Sequence, residues 1–217
     1  MAHKLANLEA RWEVSSNTLL GRIEMTTRCF QVLLVLSVTG LSWLGMMAAH
    51  ELGHVLHTRL SGGKVTLVVL HPLTFSRTDV SPNPHPLAVA WGGAVWGCAI
   101  PLGLLGMVYM FARKYAWLAR WFAGFCLIAN GAYLAGGAVL SSGSADDAGV
   151  LLARGAAHWQ LLAFGLPAIA IGLYLWNGLG SHFGLGQAKG EVDRRVTIAV
   201  LSLWLVVAAI QCMFGRR

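Results

Sequence analysis

Five apolar runs, each about long enough to cross a bilayer, dominate this sequence and restrict the folds that are open to it. The runs begin near residues 29, 87, 116, 156 and 196, and polar or Gly-rich segments separate them. Hydrophobic residues make up 56% of the chain and charged residues 12%, which excludes an ordinary soluble domain. We therefore expect an all-α polytopic protein, integral to a lipid bilayer, with about five transmembrane helices.

The runs divide the chain into three predicted regions. Residues 1–28 mix charged and apolar side chains, which predicts an amino-terminal interfacial or flexible segment. Residues 29–155 are predicted to form the core membrane domain, and residues 156–217 the carboxy-terminal transmembrane helices. The stretches outside the runs are short, so we expect no appended peptide-binding domain. The net charge of +7 is scattered between the runs, which favours a lipid bilayer as partner and no nucleic acid.

The first run ends in a motif with metal-binding spacing, His50-Glu51-Leu52-Gly53-His54. Residues four apart lie on one face of a helix, so His50 and His54 can bind one metal ion with Glu51 beside them. A catalytic zinc needs three protein ligands and a water molecule with a nearby base. Ionisable side chains are costly in an apolar span. We therefore predict a Zn²⁺ site of the hydrolase type, with Glu51 as the catalytic base.

The third metal ligand has two candidates, Asp146 and Asp147, directly after the third apolar run. Counting the crossings places this segment on the membrane face where the histidines lie. Ser144 and Asp147 also fit a capping box at a helix start, so one aspartate can cap while the other binds metal. Both aspartates stay candidates, and Asp79 is their main competitor.

A strand or hairpin element is predicted after the first helix. Lys64–Leu70 is short, rich in β-branched residues and followed by His71-Pro72. Such a strand can bind an extended peptide at its edge, although a hairpin that only fills the helix bundle fits equally well. The candidate substrate contacts on it are Val65, Leu67 and Val69. Arg77–Pro86 contains three prolines, which predicts a turn-rich connection.

Two further features of the apolar runs bear on this site. Gly93 and Gly97 lie one turn apart in the second span, a spacing that lets another helix approach closely. Asn130 lies in the middle of the third span, where its amide can hydrogen-bond either a substrate backbone or a neighbouring helix. We include Asn130 among the candidate substrate-binding residues.

Residues 40–155 together resemble the site-2 protease family of intramembrane zinc metallopeptidases. The resemblance is carried by the order of the motifs: His50-Glu51-Leu52-Gly53-His54, a short strand after Gly63, Gly92-Gly93, and Asp146-Asp147-Ala148-Gly149. It implies that residues 29–155 are a metalloprotease core that hydrolyses peptide bonds of a transmembrane or membrane-adjacent protein. The resemblance also implies that Glu51 activates the water bound to zinc.

The resemblance bears on the aspartates and on localisation. A small residue often follows the aspartate ligand in this family, which favours Asp147 because Ala148 follows it. The Asn-Pro elements usual near that aspartate are absent here. The compact size resembles bacterial-type members, which implies a multi-pass protein of the cell (inner) membrane.

Two other functions use the same residues. One is a non-catalytic metal-binding membrane regulator or scaffold, in which the metal holds the helices together. The other is a membrane metal transporter, in which histidines and aspartates line a pathway. The transporter gives Glu51 no role as a base.

Overall fold

The computed structural model describes residues 2–140 and 146–215, without the side chains of residues 2–24 and of Phe214. Within these residues the chain forms six α-helices and one two-stranded sheet. In chain order the elements are α1 (Ala2–Leu60), β1 (Val65–Val69), β2 (Arg77–Val80), α2 (Pro86–Phe111), α3 (Ala116–Leu140), α4 (Asp147–Ala153), α5 (His158–Trp176) and α6 (Arg194–Phe214).

Five helical segments in the described part of the chain are long and apolar enough to cross a membrane. They are Met25–Leu60, Pro86–Phe111, Arg113–Leu140, His158–Trp176 and Arg194–Met213. The prediction of a mostly helical chain with five apolar spans and a short β element is confirmed. Helix α1 is continuous across residue 28, so the first predicted boundary falls inside a helix. An interfacial position for residues 1–28 stays a prediction.

The hairpin after α1 agrees with one strand prediction and corrects another. β1 confirms the strand predicted at Lys64–Leu70. β2 shows that the prediction of Arg77–Pro86 as only a turn-rich connection was wrong at its start. Arg-Thr-Asp-Val carries little strand propensity of its own, and antiparallel pairing with β1 supplies backbone hydrogen bonds that hold it extended. Val65 lies opposite Val80 in this pairing.

Helices α1 and α2 approach each other closely at the metal motif. A Cβ atom placed on Gly53 would collide with the carbonyl group of Gly92, and one on Gly92 would lie 2.7 Å from the Gly53 oxygen. Only glycine at both positions permits this backbone contact, as expected for small-residue helix crossings. The small-residue segment of the second span therefore lies directly against the turn that carries the histidines.

The short helix α4 is anchored by a buried cluster that joins four helices. Leu151 of α4 is fully buried and packs with Ala94, Leu134 and Leu161 from α2, α3 and α5. A seven-residue helix has little stability of its own, so this packing determines where it lies. The cluster thereby directs the amino-terminal end of α4 toward the histidines of α1.

Candidate metal centre

His50, His54 and Asp147 converge on one point between α1 and α4. Their ligand atoms all lie within 4.8 Å of one another. His50 Nε2 is 2.9 Å and His54 Nε2 is 3.2 Å from Asp147 Oδ2. Ligand atoms around a tetrahedral zinc ion lie about 3.3 Å apart, given metal–ligand bonds of about 2.0–2.1 Å. The three side chains are therefore spaced as the protein ligands of one such ion.

Both histidines are oriented through the ring nitrogen that faces away from this point. His50 Nδ1 donates to Asn130 Oδ1 at 2.7 Å, and His54 Nδ1 donates to the Val89 carbonyl at 2.8 Å. These bonds leave Nε2 of each ring as the metal-binding atom. Asn130 is buried, and its Nδ2 donates to the Cys126 carbonyl at 2.9 Å. The amide oxygen thus binds a neighbouring helix, the second of the two roles considered for Asn130, and the amide nitrogen binds a carbonyl of its own helix.

The two adjacent aspartates have different positions at the start of α4. Asp146 is the N-cap, and its Oδ1 accepts from the Gly149 backbone N–H at 2.7 Å. Asp147 is the first helical residue, and its carboxylate lies against the histidines. Burial alone would raise the pKa of Asp147, yet hydrogen bonds with His50 and His54 lower it to about 2. Asp147 is therefore ionised at neutral pH, as a metal-binding carboxylate must be.

The predicted capping box, with Ser144 as the N-cap, is wrong about the capping residue. Asp146, and not Ser144, caps α4, and Ser144 lies outside the described residues. The structure brings Asp147 to the histidines, while Asp146 contributes no ligand atom to the three-residue group. The competitor Asp79 pairs instead with Arg77, with Oδ1 3.4 Å from Nε.

Gly93 of α2 lies directly against the rings of both histidines. A Cβ atom placed on Gly93 would lie 2.5 Å from His54 Nε2 and 2.6 Å from His50 Nε2. These distances approach the 2.0–2.1 Å of a zinc–nitrogen bond, so a methyl group there would intrude on the position of the ion. The donor set and the space at Gly93 both fit a bound zinc ion.

Glu51 lies beside the histidines, and its carboxylate is held by the hairpin. The Ser76 hydroxyl donates to Oε1 at 2.7 Å, and the Thr78 hydroxyl donates to Oε2 at 2.6 Å. The Glu51 residue is only 3% exposed. Each carboxylate oxygen keeps a second lone pair, so Glu51 can still accept a proton from water.

Two cavities meet at Glu51 and His50. The polar cavity has a volume of about 370 Å³ and is lined chiefly by His50, Glu51, His54, Ser76, Arg77, Thr78, Asp79 and Asp147. The apolar chamber has a volume of about 600 Å³ and is lined chiefly by Trp43, Met46, Met47, Phe75 and Ala129. His50, Glu51, Ser76, Tyr133 and Asp146 line both. The centre therefore borders both a polar cavity and an apolar chamber.

The candidate substrate contacts on β1 do not line either cavity. Val65, Leu67 and Val69 belong to the strand that pairs with β2, and β2 is the strand that lines the polar cavity. A substrate segment adding to this sheet at the metal centre would therefore meet β2 first.

Sequence reasoning missed several residues of the site. Ser76 and Thr78 alternate along an extended segment, so both point to one side. The predicted connection, Arg77–Pro86, contained Thr78 without a role for it, and no prediction covered Ser76. Tyr133 lies three residues after Asn130 and therefore on the same helix face. Its hydroxyl oxygen accepts from the Asp147 backbone N–H at 3.0 Å. Gly93 was predicted as a packing residue, and its place beside the histidines needed the structure.

The arrangement combines the parts that metal-assisted hydrolysis requires. Three candidate ligand side chains, two of them on the helical turn that carries Glu51, adjoin cavities that can hold a substrate. Hydrogen bonds to the two Nδ1 atoms fix the orientation of both imidazole rings. These features come from geometry within this chain alone. No protein-family model, curated protein or solved structure matches the chain.

Proposed function

We propose that the protein is an intramembrane zinc metalloprotease of the site-2 protease type, resident in the cell (inner) membrane. The observation that carries the proposal is the convergence of His50, His54 and Asp147 with the Glu51 carboxylate beside them. The five apolar spans support a membrane location, and both histidines lie within the first of them, Met25–Leu60. A substrate at this centre would itself be a transmembrane or membrane-adjacent polypeptide.

The chemistry divides between the ligands and Glu51. Bound zinc supplies Lewis acidity, which acidifies water and polarises a carbonyl group. Glu51 takes one proton from the attacking water and later gives it to the leaving nitrogen, so the peptide C–N bond breaks as an acid and an amine form. Ser76 and Thr78 hold the carboxylate of Glu51 in place during both transfers.

The hairpin supports a docking mode for the substrate. A helix must unwind locally before its peptide bonds are accessible, and an extended segment can then pair with a strand edge. Strand β2 lines the polar cavity, whereas β1 does not. We therefore place the substrate against β2 and not along Val65, Leu67 and Val69.

The proposal is tested by comparing wild type with Glu51→Gln. Both proteins should bind one equivalent of zinc when purified in detergent, because Glu51 is not one of the three ligand residues. Membranes of cells that express the wild type should contain new transmembrane-protein termini, found by mass spectrometry, that are missing with Glu51→Gln. Identical termini with zinc bound to both proteins would reject the protease and favour the non-catalytic metal-binding regulator. Zinc uptake by vesicles that His54→Ala abolishes would favour the transporter.

A further inference from the structure

The apolar chamber has walls suited to a bulky hydrocarbon group. Trp43 and Phe75 meet edge to face at its rim, with ring centroids 6.1 Å apart. Met47 is buried in the wall, and methionine side chains adapt to irregular apolar shapes. The volume of about 600 Å³ lies within the range of ligand pockets. The chamber therefore has both the size and the lining to receive a side chain as large as Leu or Phe.

The remaining wall of the chamber belongs to the metal centre. His50 and Glu51 line the chamber and also line the polar cavity. A peptide bond held at the ligands would thus adjoin both the chamber and the polar cavity. Successive side chains of an extended segment point in opposite directions. One residue next to that bond would consequently direct its side chain into the chamber.

The mixed lining favours an amino-acid residue over a lipid tail. An acyl chain offers no hydrogen-bond donor to the remaining lone pairs of the Glu51 carboxylate, which lines the chamber, and apolar burial of such a group is unfavourable. A residue of a polypeptide combines an apolar side chain with backbone groups that can face this wall. We propose that the apolar chamber is a specificity site for one large apolar side chain, aromatic or branched aliphatic, adjacent to the cleaved bond. This inference rests on the proposed protease function.

The test uses three small probes on the full-length, zinc-loaded protein in detergent. Acetyl-glycine, acetyl-leucine and acetyl-phenylalanine hydroxamates all carry the same zinc-chelating group and differ only in the adjacent side chain. Calorimetry gives the dissociation constant of each, without any need for a known substrate. The leucine and phenylalanine probes should bind about 10–200-fold more tightly than the glycine probe, as apolar groups do in a fitted pocket.

Two tryptophan variants locate the effect. Ala129→Trp should fill the chamber and remove the advantage of the larger probes, while binding of the glycine probe stays unchanged and shows that the metal centre is intact. Ala132→Trp makes the same change one turn along α3 at an exposed position that does not line the chamber. It should keep the advantage of the larger probes.

Three other outcomes would each contradict the specificity site, and they can be told apart. Equal binding of the three probes, or an advantage that survives Ala129→Trp, would overturn the specificity site and leave the protease proposal standing. Loss of the advantage on adding dioleoylphosphatidylcholine would show that an acyl chain occupies the chamber. Failure of every hydroxamate to bind the zinc-loaded protein would overturn the protease proposal and the specificity site together.

Discussion

The two candidate histidine ligands and the proposed base lie on one turn of α1, but different parts of the molecule hold them. His50 and His54 are oriented by Asn130 of α3 and the Val89 carbonyl of α2. Glu51 is held by hydroxyl groups of the hairpin. The helices share buried contacts, whereas a two-stranded sheet is marginally stable by itself. From this difference we predict that zinc binding and turnover respond to different substitutions.

We call His50, His54, Asp147 and the residues that orient them the ligand side of the centre, and Glu51 with its hairpin partners the hairpin side. The largest effect on zinc binding is expected on the ligand side, from replacing Asp147. Asp147→Ala removes a charged ligand atom that lies 2.9 Å from His50 Nε2, so purified protein should lose its zinc. Asp146→Ala is the matched control, because it removes the adjacent carboxylate. It should keep zinc and destabilise α4 by about 1 kcal/mol through loss of the N-cap. Metal analysis that showed the reverse pattern would assign the third ligand to Asp146.

Gly93→Ala should have nearly as large an effect on zinc binding without removing any ligand. The added methyl group would lie 2.5–2.6 Å from both Nε2 atoms and exclude the ion or displace the rings. Gly103→Ala on the same helix is the control, since a Cβ there meets no atom within 4 Å. Zinc titrations should show a large loss of affinity for the first variant only. Full zinc affinity in Gly93→Ala would mean that α2 lies farther from the histidines.

The sequence predicted the ligand side far better than the hairpin side. The two histidines and Glu51 follow from helical periodicity within five residues, which is local information. The choice of aspartate depends on where α4 begins, and either residue can cap a helix. Contacts of Ser76 and Thr78 with Glu51 join residues 25 and 27 positions apart, so no local pattern identifies them.

The same distinction applies to the fold. The five apolar runs predicted the spans because length and composition suffice for that inference. Strand β2 was missed because its extended form depends on pairing with β1. The position of α4 could likewise not be predicted from local sequence, because buried contacts of Leu151 with other helices determine it.

Asn130→Ala should produce an intermediate effect on the ligand side. His50 would lose the acceptor for its Nδ1 proton, and loss of such partners typically weakens metal binding about 10–100-fold. Asn177→Ala, at an exposed position after α5, is the control and should leave zinc affinity unchanged. Competition with a zinc chelator measures both affinities. An Asn130→Ala protein with unchanged zinc affinity but impaired substrate binding would restore its predicted role as a substrate contact.

Substitutions in the hairpin are expected to have the smallest effect on zinc affinity and to lower turnover selectively. Ser76→Ala combined with Thr78→Val frees both oxygens of Glu51 without touching a ligand, so zinc affinity should stay unchanged. Cleavage should fall about 10-fold in kcat with little change in KM, because the base is less well oriented for proton transfer.

The control for this variant lies in the same hairpin. Thr66→Val removes a hydroxyl that donates to the Asp79 carbonyl at 2.9 Å and makes no hydrogen bond to Glu51. It should leave kcat unchanged, whereas Ser76→Thr with Thr78→Ser should restore it by returning both donors. Faster cleavage in the Ser76→Ala, Thr78→Val protein would reverse the interpretation: the two hydroxyls would then restrain Glu51 until substrate displaces the hairpin. Equal loss in Thr66→Val would instead mean that hairpin stability, and not the pair of bonds to Glu51, controls turnover.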